Sequence, residues 1–291
     1  MKYIVVKGLL GFGDRLEHLK MCVKFAIENK LIIHVDWTDG DWSHGEESFY
    51  KYFDLIGVEQ VKNIDDIPSD LKVYPAFFQN NLKHILTLDD AQGRTPATAI
   101  NLGMLNKSKI PETDILVSSN VGDRWLYADS EWFSNNLRVI DQRILDKVRE
   151  RYTKYDLPTA LGCHLRGTDR TSRRRHPALL IQNLILNSLS RGLLDSKNVV
   201  VVSDDIDLIT AWKQRIPHSK IISEDSLIES DKIGNHNKKS LNTTKDQLNV
   251  DMLCDFFTLT LCKNIAINIR DSRFGAEAKR LHSHTKRILN F

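Results

Sequence analysis

The sequence predicts an α/β protein made of two successive halves, each carrying an open parallel sheet. Three observations predict it. The chain opens with strand, glycine-rich turn, helix and strand between Tyr3 and Trp37. The same alternation restarts after Pro158. Within that second half, Asn198–Ser203 (NVVVVS) is apolar on both faces, as a strand inside a parallel sheet must be.

Tyr3-Ile4-Val5-Val6 forms the first strand and Gly8–Asp14 the turn. Leu16, Leu19, Val23, Phe25, Ala26 and Ile27 give Arg15–Asn29 a helical pattern. Leu31–Trp37 is the next strand, so the opening is a βαβ unit with a parallel pair. Asp39–Tyr52, rich in acids, aromatics and glycine, is a loop entering a helix. Asp114–Ser118 reads as a strand and Asp141–Tyr155 as a charged helix. After Pro158 come a strand at Ala160–Leu165, a helix at Ala178–Arg191 and the strand at Asn198–Ser203. A helix at Asp207–Arg215 and a short strand at Lys220–Ser223 follow. Ser230–Gln247, with many Lys, Asn, Ser and Thr, reads as a mobile loop. Val250–Leu261 is a helix, Asn264–Ile269 a strand and Phe274–Leu289 a closing helix, free to pack back on the first half.

The 291 residues are 41% hydrophobic and 27% charged, which fits a soluble globular chain of about two domains. A net charge of +3 argues against a general nucleic-acid-binding surface. Basic character is local, in Arg166–Arg175 and in Lys279–Arg287. The latter reads as a surface helix or as a peripheral contact with an anionic membrane. No apolar run is long enough to span a bilayer, and the opening lacks the apolar core of a signal peptide. Cys22, Cys163, Cys254 and Cys262 form no CxxC pair, so no zinc site is expected. Buried free thiols fit a reducing, cytoplasmic compartment.

The stretch Leu161–Arg175 (LGCHLRGTDRTSRRR) concentrates the chemistry. A strand ends in His164, and five arginines follow within ten positions: Arg166, Arg170, Arg173, Arg174 and Arg175. Guanidinium forks match phosphate oxygens in pairs and keep their charge. A solvated basic turn is the plain alternative. In open α/β sheets, ligands sit beyond the carboxyl ends of the strands. His164, Asp204, Asp205 and Arg270–Ser272 fall at such ends in the second half, and Gly11–Asp14 in the first. Gly8–Gly13 could cradle a phosphate with its amides, or be a tight turn with Asp14 as N-cap. Asp36, Asp39, Asp41, Glu46 and Glu47 crowd the end of the second strand, where a carboxylate could serve as general base or simply line a solvated loop. Ser203-Asp204-Asp205 could meet a ribose or base edge, or cap the next helix. Asp255, four residues after Asp251 in an apolar helix, needs a partner unless it faces solvent. No HExxH and no GxSxG occurs.

Taken in order, several motifs resemble those of one family. They are Gly11-Phe12-Gly13-Asp14 with Val35-Asp36-Trp37, then Gly162–Arg170, then Ser203-Asp204-Asp205, Asp255 and Arg270–Phe274. The family is the fucosyltransferase superfamily of core α1,6-, bacterial nodulation and protein O-fucosyltransferases. The resemblance implies an α/β fold of GT-B type, with two Rossmann-like domains facing a cleft. Residues 1–156 would form the acceptor side and 157–291 the nucleotide-sugar domain. It further implies GDP-fucose as donor, inversion at the anomeric carbon, no required metal or other cofactor, and a glycan or lipid-linked oligosaccharide as acceptor. By position, Arg166 would hold the β-phosphate, and His164 and Asp255 would contact guanine. Asp204, Asp205 and Ser272 would line the pocket, with Asp169, Arg170, Asp271, Gly11 and Gly13 around it. One position departs. Where the core α1,6 enzymes have Glu, ten residues after the motif His, this chain has Arg174. A base would then come from Asp14 or from the acidic loop that begins at Asp36, or a dissociative route would need little base help. Two alternatives remain at this level: the same fold with another sugar donor, and an anion- or nucleic-acid-binding module using Arg166–His176.

Overall fold

A computed structural model describes residues 1–91, 105, 107–119, 129–167, 181–185, 198–224, 227–228, 243–269 and 272–291. In its first part, β1 (Tyr3–Lys7) leads to α1 (Phe12–Asn29) and β2 (Ile32–Asp36). Then come α2 (Phe49–Tyr52), β3 (Phe53–Leu55), β4 (Val73–Tyr74) and α3 (Leu88–Ala91). They are followed by β5 (Ile115–Ser119), α4 (Ser130–Ser134) and β6 (Leu137–Val139). The second part contains α5 (Gln142–Lys154), β7 (Leu161–Leu165), the helical residues 181–185 (α6), β8 (Val199–Ser203), α7 (Ile206–Lys213) and β9 (Lys220–Ile221). It closes with α8 (Lys245–Thr260), β10 (Asn264–Ile267), α9 (Arg273–Leu281) and α10 (Thr285–Leu289).

Each part has its own parallel sheet. The first runs β2-β1-β5-β4, and the second β10-β7-β8-β9. β3 and β6 form a separate antiparallel pair. Val5, Val73, Phe78, Ile115 and Val117 anchor one core. Leu161, Cys163, Leu165, Val199, Val201, Leu208 and Trp212 anchor another. All four cysteines are buried and free. Among the described residues, no helix is long and apolar enough to cross a membrane.

The chain divides into two compact units, essentially Met1–Ile140 and Asp141–Leu289. Helix α5, placed by the sequence reading at the end of the first half, therefore opens the second. Its charges explain this: Arg143 pairs with Asp246, Lys147 with Asp251, and Arg151 with Asp255, all on α8. The closing helix α10 groups with the second unit as well.

Several boundaries differ from the sequence expectation. Helix α8 starts at Lys245, inside the stretch read as loop, because Thr244 caps it by accepting from the Gln247 amide at 3.2 Å. The expected single closing helix is two helices with a turn between them, where the His284 amide bonds the Leu281 carbonyl. Helix α1 starts at Phe12, and its N-cap is Gly11, so Asp14 belongs to the first turn and is not the cap. Asp141 and Asp205 are caps, of α5 and α7. Of the helix expected at Ala178–Arg191, only 181–185 falls within the described residues.

Candidate functional site

The second sheet gathers polar groups at the carboxyl ends of β7, β8 and β10. Side chains alternate along a strand. Leu161, Cys163 and Leu165 of β7 fill one core, and His164 turns to the opposite face. There it is buried beside Phe274, with ring centroids 5.0 Å apart. Among the described residues, its Nδ1 has no hydrogen-bond partner. Burial, reinforced by the Arg166 charge, pushes its pKa down to about 3, so the ring is neutral near pH 7. Nδ1 is sealed against Gly275, where an added Cβ would lie 2.9 Å from it and 2.7 Å from Ile267 Cγ2.

Arg166 leaves β7 two residues later and is held from both sides. Its amide donates to Asn268 Oδ1 at 2.9 Å, and Asn268 Nδ2 donates back to its carbonyl at 3.0 Å. Arg166 Nη1 donates to Asp204 Oδ2. The other oxygen of that carboxylate accepts from the Gly167 amide at 2.8 Å. The Arg166 side chain remains 23% exposed, so it is aimed by a partner without being buried. Gly167 must be glycine here, because a Cβ would come within 2.2 Å of Asp205 Cβ.

The two neighbouring aspartates divide the roles considered for them. Asp204 faces Arg166. Asp205 is buried and caps α7, accepting from the amides of Asp207 and Leu208 at 2.9 and 3.1 Å. Ser272 caps α9 by accepting from the Gly275 amide at 3.4 Å, which sets the positive end of that helix beside His164. His164, Arg166, Asp204, Asp205 and Ser272 thus share one end of one sheet.

Asp255 is buried on α8, which answers its need for a partner. Arg151 Nη1 donates to it at 2.8 Å. Burial raises its pKa to about 6, with the Arg151 charge and a bond from Ser223 pulling the other way. Its oxygens therefore serve protein partners. Asp169, Arg170 and Asp271 lie outside the described residues, as do Arg173–Arg175 and Arg270.

In the first unit, Gly11, Gly13 and Asp14 open α1, with Asp14 half-buried. Asp36, at the end of β2, is buried against Lys7 at the end of β1. Burial would raise its pKa, but the Lys7 charge and bonds from Lys7 and Thr38 hold it below the usual carboxylate range. Lys7 also donates to the carbonyls of Leu82 and His84. Asp39 accepts a two-pronged bond from Arg15, at 2.6 Å on each prong. That guanidinium lies over the rings of Trp37 and Trp42, 5.8 and 5.5 Å from their centroids. Among the described residues, no three His, Cys, Asp or Glu side chains are grouped as metal ligands would be.

Sequence reasoning passed over Lys7, Arg15, Arg151 and Asn268. Three of them carried a signal. Lys7 ends an apolar strand, and Arg15 and Arg151 stand at helical spacing with apolar neighbours, Leu19 and Val148. A cation on an apolar face requires an anion.

Two α/β units with open parallel sheets, and polar groups at the strands' carboxyl ends, define the GT-B class of fold. No family model matches this chain, and no curated protein sequence does. Solved structures do match. One is NodZ alpha-1,6-fucosyltransferase soaked with GDP-fucose, with TM-score 0.69 and 14% identity over 96% of this chain and 92% of that one. Fucosyltransferase NodZ from Bradyrhizobium gives TM-score 0.68 and 13% identity over 95% and 92%. POFUT1 in complex with GDP gives 0.58 and 15% over 98% and 95%. This chain has the fold seen in these solved fucosyltransferase structures.

Proposed function

We propose that this chain is an inverting, metal-independent glycosyltransferase that moves fucose from GDP-fucose to a hydroxyl of a glycan acceptor. One observation carries the reading. Arg166 is fixed by Asn268 and Asp204 at the carboxyl end of β7, beside neutral His164 and the head of α9. The second unit binds the nucleotide and the first forms the acceptor side. Structures of the same fold hold GDP and GDP-fucose, which supports this donor.

In the reaction, the acceptor oxygen bonds the anomeric carbon as the bond from that carbon to the β-phosphate oxygen breaks. Negative charge grows on the departing diphosphate. Arg166, oriented beforehand by Asp204, neutralises it without reorganising, as a divalent cation would elsewhere. His164 contacts the guanine, by motif position. Asp204, Asp205 and Ser272 shape the pocket wall, and Asp169, Arg170 and Asp271 add contacts by motif position. The acceptor proton passes to a carboxylate of the first unit. Asp36 is poorly suited, because its lone pairs are taken by Lys7 and Thr38. Asp14, on the first turn of α1, is the better candidate. A dissociative, oxocarbenium-like transition state asks little of that base. The acceptor is a surface-polysaccharide or lipid-linked precursor in the cytoplasm, met with help from the basic stretch Lys279–Arg287. The buried free thiols agree with that compartment.

Calorimetry with GDP and UDP in the presence of EDTA tests the reading. GDP should bind and UDP should bind far more weakly. Arg166→Ala should cost on the order of 10²–10³ in transfer rate, scored by product mass with GDP-fucose against other GDP-sugars. Equal UDP binding, a strict need for a divalent ion, or full activity of Arg166→Ala would overturn it.

A further inference from the structure

The ladder between β8 and β9 ends early. β9 has only two residues, and its last registered pair is Val201 with Ile221. The Ile222 amide still reaches the Val201 carbonyl at 3.0 Å. Beyond that point no strand remains to accept from the Ser203 amide, the last of β8. A side chain takes the place of the strand: the Ser203 amide donates to Ser223 Oγ at 2.9 Å.

Ser223 is itself held. Its hydroxyl favours the charged form of the buried Asp255 carboxylate. Asp255 is gripped by Arg151, whose Nη2 also takes the Ile222 carbonyl at 2.7 Å and Glu224 at 2.8 Å. The residues on both sides of Ser223 are thus tied to the same guanidinium. On its other side, Ser203 Oγ donates to the Leu165 carbonyl at 2.9 Å, which locks the end of β8 to the end of β7. The next residue is Asp204, which holds Arg166 and the Gly167 amide. Hydrogen bonds and the chain itself therefore connect Arg151, through Ile222, Ser223 and Glu224 and then Ser203 and Asp204, to the arginine of the site.

We infer that Ser223, anchored by Arg151 through its neighbours Ile222 and Glu224, is a positioning residue for the diphosphate clamp, fixing Asp204 and hence the direction of the Arg166 guanidinium. The inference rests on the reading of Arg166 as the phosphate-binding group. Ser223 touches no substrate in this account. Its loss loosens the strand end that aims Arg166 and leaves both cores intact.

The test is calorimetry with GDP and GMP on the full chain, beside thermal melting. Ser223→Ala should weaken GDP binding about five- to tenfold, the scale of one net hydrogen bond. GMP, which lacks the β-phosphate, should change less than about twofold on the same scale. The melting temperature should fall by no more than about 4 °C. Ser223→Thr, which keeps the hydroxyl, should restore GDP affinity. Equal losses for GDP and GMP, no loss for GDP, or failure of Thr to rescue overturns the inference alone. So does a melting temperature lowered by more than about 5 °C, which marks a general structural role. If the unaltered protein binds no GDP, the reading of Arg166 falls first.

Discussion

Replacing His164 with Phe should make the second unit less sensitive to acid. In the folded chain, burial and the Arg166 charge hold His164 at a pKa of about 3. In the unfolded chain a histidine titrates near 6.5. As pH falls, the unfolded chain therefore takes the proton first. The stabilising contribution of the neutral ring is complete above about pH 6.5 and drains away between there and about 3. Between pH 8 and pH 5 this amounts to about 2 kcal/mol, at 1.36 kcal/mol per pH unit below 6.5. Phe has no proton to gain. The stability of the variant relative to the parent should shift by that same ~2 kcal/mol in its favour from pH 8 to pH 5. Packing differences between the two rings cancel in this comparison. Urea unfolding of both proteins at both pH values, followed by circular dichroism, gives the number. Parallel pH dependences would mean that His164 is not held neutral in the core, and the description of the site would fail with it. Phe also removes the buried Nδ1, which has no hydrogen-bond partner among the described residues, so stability should be gained where GDP binding is lost.

Gly275→Ala should push His164 and Ile267 aside, costing about 1–3 kcal/mol of stability and weakening GDP binding by calorimetry; unchanged binding would show that the ring need not stay where it is. Asp39→Ala should destabilise the first unit by about 3–5 kcal/mol in urea unfolding, because it strands the buried Arg15. Pairing it with Arg15→Met should recover most of that loss, and a double variant no better than the single one would refute the ion-pair account.

Much of the fold was written in local spacing. Short, mostly apolar runs mark β1, β2, β7 and β8, and each is a strand because its side chains enter a core on one or both faces. β3, β4 and β6 left no such mark. With two or three residues each, they exist because a neighbouring strand presents free backbone groups, and no periodicity fits in so short a run. Helix ends followed capping chemistry at Asp141 and Asp205, though α8 begins at a polar cap, Thr244, inside a stretch read as loop. They were misread at α1, where the cap is Gly11 and offers no side-chain signal.

The same division holds in the site. His164, Arg166 and the Ser203–Asp205 run were visible as polar groups ending apolar strands. Asp255 was visible as a charge on an apolar helix face, and Arg151, passed over, carried the same signal. That they belong to each other, across 104 residues, was not visible. Nor was the choice between Asp204 as a partner for Arg166 and Asp205 as a cap, two adjacent carboxylates with the same local chemistry. Sequence alone determined which residues must be buried and which charges would need a counterpart, because hydrophobic periodicity and desolvation act on every residue locally. Only the tertiary structure decided who meets whom, because ion pairs and hydrogen bonds depend on distances that packing sets and spacing along the chain does not.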